Sequence, residues 1–552
     1  MRRERRFNFA TYDIETPGIG DDSFLLVGYY DGERYYRFYR MADFMDHVCS
    51  RRYRGWHVFG HYAGRFDARY LLDYLRFSRA GKRLRWSYYL SGSSCVLLSI
   101  HTEENGRGGH VVHFADSGRL LLVSLGRLTS EFKVQHRKMD FDPSSVRYNF
   151  NDCVGLYEVL QEFFSLTGVY AYTVASAALR YFRKNYLQRS IWQLNPSVEN
   201  FVREGYYGGR CEIYRRDPVD GAYKYDVNSL YPYAMVGPIP VEYLGRTRSI
   251  PDDDRRIGFF RADVHLPDTY IPALPIMTGE SRLYFPVGAI TGVWTSMEIR
   301  RAIEDGAAVR VRDGVVFATD SIFDEFVADI YTRKAEAEAS GDFGKRLIFK
   351  LLANSLYGKF GQRRDRRVYI DDPGTARLDA DDPSSPAIWP LPGGAAYYIT
   401  ESDARHILPH ISATITARAR LTMLDRLRDA VPCWYTDTDS VITTRKLETG
   451  EGLGEWKLEG IGSFQAHGLK EYSWNDEIKI KGLPRQDIEI ARRYLKGEQV
   501  AFRRMAGLQE SVRAGVEAAR SIDCVRRRRS SRPKRAADGT YDTRPWNMSE
   551  LV

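Results

Sequence analysis

The sequence predicts an α+β protein of several domains, and three observations lead there. At 552 residues the chain exceeds what one hydrophobic core supports and should divide into roughly three to five domains or subdomains. Strand-like runs such as FNFATYDIET (7–16) and VVHFAD (111–116) stand beside helix-periodic stretches such as VRYNFNDCVGLYEVLQEFF (146–164). No apolar run approaches the roughly eighteen residues of a membrane span. The chain starts Met1-Arg2-Arg3-Glu4 without an apolar leader, which argues against secretion and for a cytoplasmic protein. Six scattered cysteines lack the short spacings of a zinc or redox motif, so free thiols in a reducing compartment are expected. A net charge of +9 favours a polyanionic partner. The basic residues cluster at Arg363–Arg367 and again at Arg526–Arg535, where the tail suits either solvent or nucleic acid.

Taken in order, the first strand ends on Asp13 and Glu15, which share a face before Pro17-Gly18 breaks it. In FGHYAGRFDARYLLDYL, Gly64 marks a turn and Asp67 opens a helix, either as an N-terminal cap or as a further site acid. Strands are expected at 96–100, 111–116 and 120–125. The helix from Val146 carries Tyr148 and Asp152 four apart on one face. Four acids on three elements, with a tyrosine one turn from the last, suit two-metal phosphodiester hydrolysis.

A helix over 173–186 leads to the loop Tyr206-Tyr207-Gly208-Gly209, whose glycines permit close backbone approach. AYKYDVNSLYPYAM is a strand ending at Asp226, followed by a turn or short helix from Ser229, as a metal-bound triphosphate requires. Residues 236–325 alternate Pro/Gly punctuation with short strands. Two helices then meet at Gly341–Gly344, and in the second Arg346, Lys350, Asn354 and Tyr357 line one face. This basic, amide and aromatic stripe suits a triphosphate and a stacked base, with Arg333, Lys334 and Lys345 as further cations. The stretch 362–399 is rich in loops, and ILPHISATITARARLTMLDRLRDA is an amphipathic helix. In YTDTDS, Asp437 and Asp439 are two apart: same-facing strand acids in need of cations, or a polar turn at a hairpin tip.

DIET, FDARYL and YNFND resemble the three exonuclease motifs of the DEDD class found in family B DNA polymerases. DVNSLYP, KLLANSLYG and YTDTDS resemble motifs A, B and C of the same family. Tyr206–Gly209, Lys470-Glu471-Tyr472 and the inter-motif insertions resemble its protein-primed branch, that of phage phi29-type and linear-plasmid polymerases. The resemblance implies an RNase H-like 3′–5′ exonuclease domain followed by a right-hand palm, fingers and thumb. The exonuclease falls at 1–170, the linker helix and loop at 171–210, the palm at 211–240 and 403–482, and the fingers at 326–361. Insertions fall at 241–325 and 362–402, and the thumb with its basic tail at 483–552.

It further implies that Asp13, Glu15, Asp67 and Asp152 bind exonuclease metals, that Tyr148 places the attacking water, and that Lys138 assists. Asp226, the Val227 carbonyl and Asp439 would bind polymerase metals, with Asp437 adjacent. Tyr231 would exclude a ribose 2′-hydroxyl, while Lys350, Asn354, Tyr357, Arg346 and Lys334 would meet the nucleotide. Tyr206, Gly208, Gly209, Lys470, Tyr472, His61 and Phe66 would contact DNA. One position departs: Tyr62 follows His61 where the family has the asparagine that contacts single-stranded DNA. The implied cofactors are two Mg2+ or Mn2+ ions per active site. The implied partners are template-primer DNA, dNTPs and a terminal protein primer, for a monomer that has no membrane association. The implied activity is replication of a phage or linear-plasmid-like genome, with proofreading and strand displacement.

Overall fold

The structure is a computed structural model that describes residues 7–18, 23–92, 94–102, 110–279, 282–370, 387–391, 396–401, 406–483, 488–518, 521–527, 535–536 and 543–548. The architecture is α+β and multidomain. Its first body is built on a sheet in which Phe9–Glu15, His57–Gly60 and Val111–Asp116 run parallel, while the flanking strands are antiparallel. The apolar side chains Ala10, Tyr12 and Ile14 are buried, and helix Val146–Thr167 closes over this sheet. That packing brings the helix's first turns against the acidic end of the first strand.

The expected strand at 120–125 is absent. The amides of Leu120 and Leu121 both bond the Ser117 carbonyl, at 2.9 and 2.8 Å, so the run turns back instead of extending. Ser124 then caps helix Leu125–Glu131, and the two leucines are buried without a ladder. The 362–399 stretch also differs from its reading as loop. Strands Asp365–Ile370, Ile388–Pro390 and Ala396–Glu401 extend the N-terminal sheet to ten strands through Val368↔Tyr89 and Tyr369↔Tyr88. The rings of Tyr88 and Tyr369 stack at 5.5 Å across this junction. Turn-forming residues at 371–386, which lie outside the described residues, hid these strands in the composition.

The second body centres on an antiparallel seven-stranded sheet. Its spatial order runs Glu477–Ile480, Glu471–Trp474, Trp456–Gly468, Val219–Val227, Ser440–Thr443, Cys433–Asp437, Cys211–Ile213. Residues 236–325 are more ordered than short strands imply. They form a four-stranded sheet with helix Ser296–Glu304, whose start is a capping box of Thr295 and Glu298. Helices Asp324–Ala339 and Phe343–Phe360 pack on one another.

Helix Pro409–Asp429 is buried on nearly every side over its first half and not on one stripe, because sheet, loop and helix partners surround it. The C-terminal helix Leu508–Ala514 inserts Leu508 and Val512 into the N-terminal core. Arg69 there bonds the Ala506 carbonyl at 2.6 Å. Most of the arginine-rich tail, 528–534, lies outside the described residues. The six cysteines are free, and among the described residues no helix is long and apolar enough to cross a membrane.

His410 lies inside this core at 1% exposure, its ring stacked on Phe317 at 5.1 Å. Burial pushes its pKa down to about 3, so it is neutral when folded and titrates near 6.5 when unfolded. Stability is therefore lost as pH falls through 6.5 toward 3. A His410→Leu chain is expected to lose about 2 kcal/mol less than wild type between pH 7 and 5, a difference that melting transitions at the two pH values would reveal.

Candidate active sites

Two acidic centres emerge. In the first, Asp13 and Glu15 end the central strand and Asp152 reaches in from helix Val146–Thr167, with ligand atoms of all three within 4.8 Å of one another. Asp67 joins them by accepting the Ile14 amide at 2.8 Å. It does not cap its helix, since the cap position belongs to Phe66. Burial, then mutual repulsion, pushes Glu15 up to about 10 and Asp152 up to about 7, and the Asp13 and Asp67 carboxyls also rise. Such a set fits a divalent cation, which supplies the positive charge that burial demands.

Lys138 donates to Tyr148 Oη at 2.6 Å and also pairs with Asp152. Burial opposes its charge, but Asp152 and Tyr148 prevail and hold its pKa above the usual lysine range. Asn149 is a residue that sequence reasoning missed: its Nδ2 donates to Asp13 Oδ2 at 3.0 Å and Glu15 Oε1 at 3.2 Å. The available signal was an amide in the first turns of the helix, beside Tyr148, where a buried polar group needs partners. Phe66 is 44% exposed and free to meet a ligand. His61 is turned inward, with Nε2 on the Val123 carbonyl at 2.8 Å and Nδ1 on Ser117 at 3.1 Å. Burial lowers its pKa to about 4, so its ring nitrogens are spent inside the protein. Tyr62 has φ +55°, a left-handed conformation that asparagine adopts more readily.

The second centre corrects the strand reading of YTDTDS. Asp437 pairs with Ser440, and Thr438-Asp439 is the two-residue turn between them, with Thr438 at φ +68°. The hairpin tip and the paired-acid reading therefore describe one feature. Ser440 pairs with Asp226 on the neighbouring strand, and the Val227 amide bonds the Asp439 carbonyl at 2.8 Å. This fixes Asp226 beside Asp439. Burial, then Asp439, then Glu459 push Asp226 up to about 7, and burial, then Asp437 and Glu459, raise Asp439. Glu459, on Trp456–Gly468 and paired with Lys224, is a third acid that the sequence reading passed over. Asp437 is set apart by Lys470, whose Nζ lies 3.4 Å from its Oδ1.

The cations sort themselves by partner. Arg333 is held by Asp329 at 2.8 Å and Lys345 by Asp342 at 2.9 Å. Lys334, in contrast, is lowered by burial and by the nearby charges of Arg346, Lys350 and Lys457. This convergence of like charge, with Lys350 also acting on Asp226, is what a polyphosphate would relieve. Arg346 lies 3.1 Å from Glu338 meanwhile. Tyr231 stacks on Tyr357 at 4.1 Å and 13°, forming a rigid aromatic floor, and Asn354 is exposed on the same helix.

The family description "DNA polymerase type B, organellar and viral" matches residues 120–377. The DNA-directed DNA polymerase of Enterobacteria phage PRD1 is 25% identical over 527 residues, covering 87% of this chain and 86% of that one. The probable DNA polymerase of Neurospora intermedia is 25% identical over 508 residues, with 76% of this chain aligned to 51% of a longer protein. Phi29 DNA polymerase in complex with primer-template DNA and incoming nucleotides superposes with a TM-score of 0.72 at 18% identity, over 94% of this chain and 100% of that one.

The chain is similar to type B DNA polymerases over much of its length. Within that relationship, the loop Tyr206-Tyr207-Gly208-Gly209 stands directly behind the hairpin acids. A side-chain carbon on Gly209 would come within 2.9 Å of Thr438, and the Thr438 amide bonds the Arg210 carbonyl at 2.7 Å. The Tyr206 ring covers Gly361 at the end of helix Phe343–Phe360. Tyr472 packs among Tyr435 and Phe464, at 5.5 and 5.7 Å. The segments that resemble type B motifs thus meet at two carboxylate centres and one basic, aromatic helix face.

Proposed function

We propose that the chain is a DNA-dependent DNA polymerase that carries its own 3′–5′ exonuclease and starts synthesis on a terminal protein. The observation that carries the polymerase reading is the register of Asp226 beside the Asp439 turn, with Lys350 acting on Asp226, Lys334 and Arg346 gathered near Lys350, and Tyr231 stacked on Tyr357. In this reading 211–240 and 403–482 are the palm, 326–361 the fingers and 483–552 the thumb.

Two Mg2+ or Mn2+ ions, when bound, lower the pKa of the primer hydroxyl and offset charge on the leaving pyrophosphate. Asp226, the Val227 carbonyl and Asp439 would hold them, and Asp437, paired with Lys470, would stand beside the primer strand. The cations bind the triphosphate, and Tyr231 lies under the sugar. Because the stack on Tyr357 leaves that ring no room to yield, Tyr231→Ala should relax discrimination against ribonucleotides roughly 100-fold, measured as the ratio of kcat/KM values. At the other centre, Asp13, Glu15 and Asp152, with Asp67 beside them, would hold the ions, while Tyr148 and Lys138 would orient the attacking water.

Template-primer DNA and dNTPs are the substrates of a monomer working in the cytoplasm of a host cell. The setting is replication of a phage or linear-plasmid-like genome with strand displacement. Extension of a primed template by the purified chain, lost on chelation of Mg2+, tests the polymerase reading. The Tyr-x-Gly-Gly loop and the insertions at 241–325 and 362–402 support protein priming. The test is transfer of a dNMP from dNTP to the hydroxyl of a purified terminal protein, with pyrophosphate released. Extension of nucleic-acid primers alone would overturn this branch of the proposal.

A further inference from the structure

A buried ion pair stands behind the hairpin acids, outside every motif of the sequence. Arg420, on helix Pro409–Asp429, and Glu298, on helix Ser296–Glu304, meet at 2.6 Å with side chains only 2% and 1% exposed. Burying two charges is costly, and the geometry answers that cost with nearly complete hydrogen bonding. Glu298 Oε1 takes both Arg420 Nε and Nη2, and its Oε2 takes the Thr295 amide and hydroxyl. The remaining guanidinium nitrogen, Nη1, donates to two successive loop carbonyls, Tyr207 at 2.6 Å and Gly208 at 3.0 Å.

Those carbonyls immediately precede Gly209 and Arg210, which touch the Thr438 side chain and bond its amide at 2.7 Å. Thr438 is the residue between the two acids. Four consecutive links therefore run from the pair to Asp439: guanidinium, carbonyls 207–208, Gly209-Arg210, Thr438. A turn whose first residue is in a left-handed conformation needs such support, because its extended alternative costs less in isolation.

We infer that Arg420 and Glu298 are positioning residues for polymerisation, fixing the Tyr207–Arg210 loop and through it the Thr438-Asp439 turn. This rests on the polymerase reading above. The pair lies in the second body and touches none of the four acids of the first, so its effect falls on one activity only.

The test is the full chain with Arg420→Met and Glu298→Met together, which removes both charges so that neither is left buried alone. The double variant is expected to melt somewhat below wild type, because the Thr295 amide and hydroxyl lose their acceptor, and to degrade single-stranded oligonucleotide at the wild-type rate well below that transition. Its kcat for adding a dNMP to a primed template should fall about 100-fold, with KM for dNTP unchanged, as sub-ångström displacement of reacting groups predicts. A wild-type kcat in the double variant overturns the inference. So does an equal fall in degradation, melting temperature and synthesis, which is the mark of a structural role alone. Wild type that extends no primer counts against the polymerase reading, whereas a fully active double variant beside active wild type counts against the pair alone.

Discussion

Replacing Asp439 with alanine is expected to lower templated nucleotide addition by at least about a thousandfold, some 4 kcal/mol of transition-state stabilisation, while degradation of single strands continues. The size follows from geometry. Asp439 sits in the turn that the Val227 amide and Arg210 carbonyl hold in place, and its charge is one of the causes of the raised Asp226 pKa. In the proposed reading, removing it takes away one of two adjacent cation ligands; it also removes one cause of the raised Asp226 pKa, while burial continues to hold that pKa up. Asp437→Ala should cost less, on the order of tenfold, because Asp437 faces Lys470 and not Asp226. Single-turnover primer extension with both variants separates the two acids. Undiminished synthesis by the Asp439 variant would remove it from the site, and equal losses would erase the asymmetry between the pair.

What could be read from the sequence was set by how local the causes are. The strand that ends at Glu15 and the helix with Tyr148 and Asp152 follow from short-range periodicity, and both are present as Phe9–Glu15 and Val146–Thr167. The stripe Arg346, Lys350, Asn354, Tyr357 follows from helical spacing in the same way. Leu120–Leu125 misled because an apolar run carries no record of whether its amides will find a ladder, and here Ser117 takes two of them. The strand Asp365–Ile370 was hidden because its partner Arg85–Ser91 lies nearly three hundred positions away, a pairing that no local pattern announces, and the two strands after it build outward from it.

The sites show the same division. Which acids gather was legible through the motifs, but which neighbours tune them was not. Asn149, Glu459 and the Arg420–Glu298 pair are polar residues in ordinary helices and strands, and only their contacts with distant elements give them a role: Asn149 and the pair by burial, Glu459 by its charge near Asp226. Among the cations, Asp329 and Asp342 hold Arg333 and Lys345 through local helical pairs and Glu338 meets Arg346, while the crowding of Lys334 by Arg346, Lys350 and Lys457 depends on separate elements whose packing no local pattern announces.

The complementary expectation concerns the first centre. Asp13→Ala should reduce degradation of single-stranded DNA by at least about a thousandfold and leave primer extension near wild type. It should also change stability in a direction that a lost contact would not. Asp13, Glu15, Asp67 and Asp152 are buried together and repel one another, which holds Glu15 near 10 and Asp152 near 7. Without divalent ions, deleting one charge relieves the others, so the variant should melt at or above the wild-type temperature in chelator. With Mn2+ or Mg2+ in excess the order should reverse. An ion at 100 times its dissociation constant stabilises a folded protein by about 2.7 kcal/mol, and the variant lacks one of its ligands. Melting curves in chelator and in metal, run beside the nuclease assay, therefore test ligand identity independently of catalysis. A variant that gains as much from metal as wild type would place the ion elsewhere, even if its nuclease activity were gone.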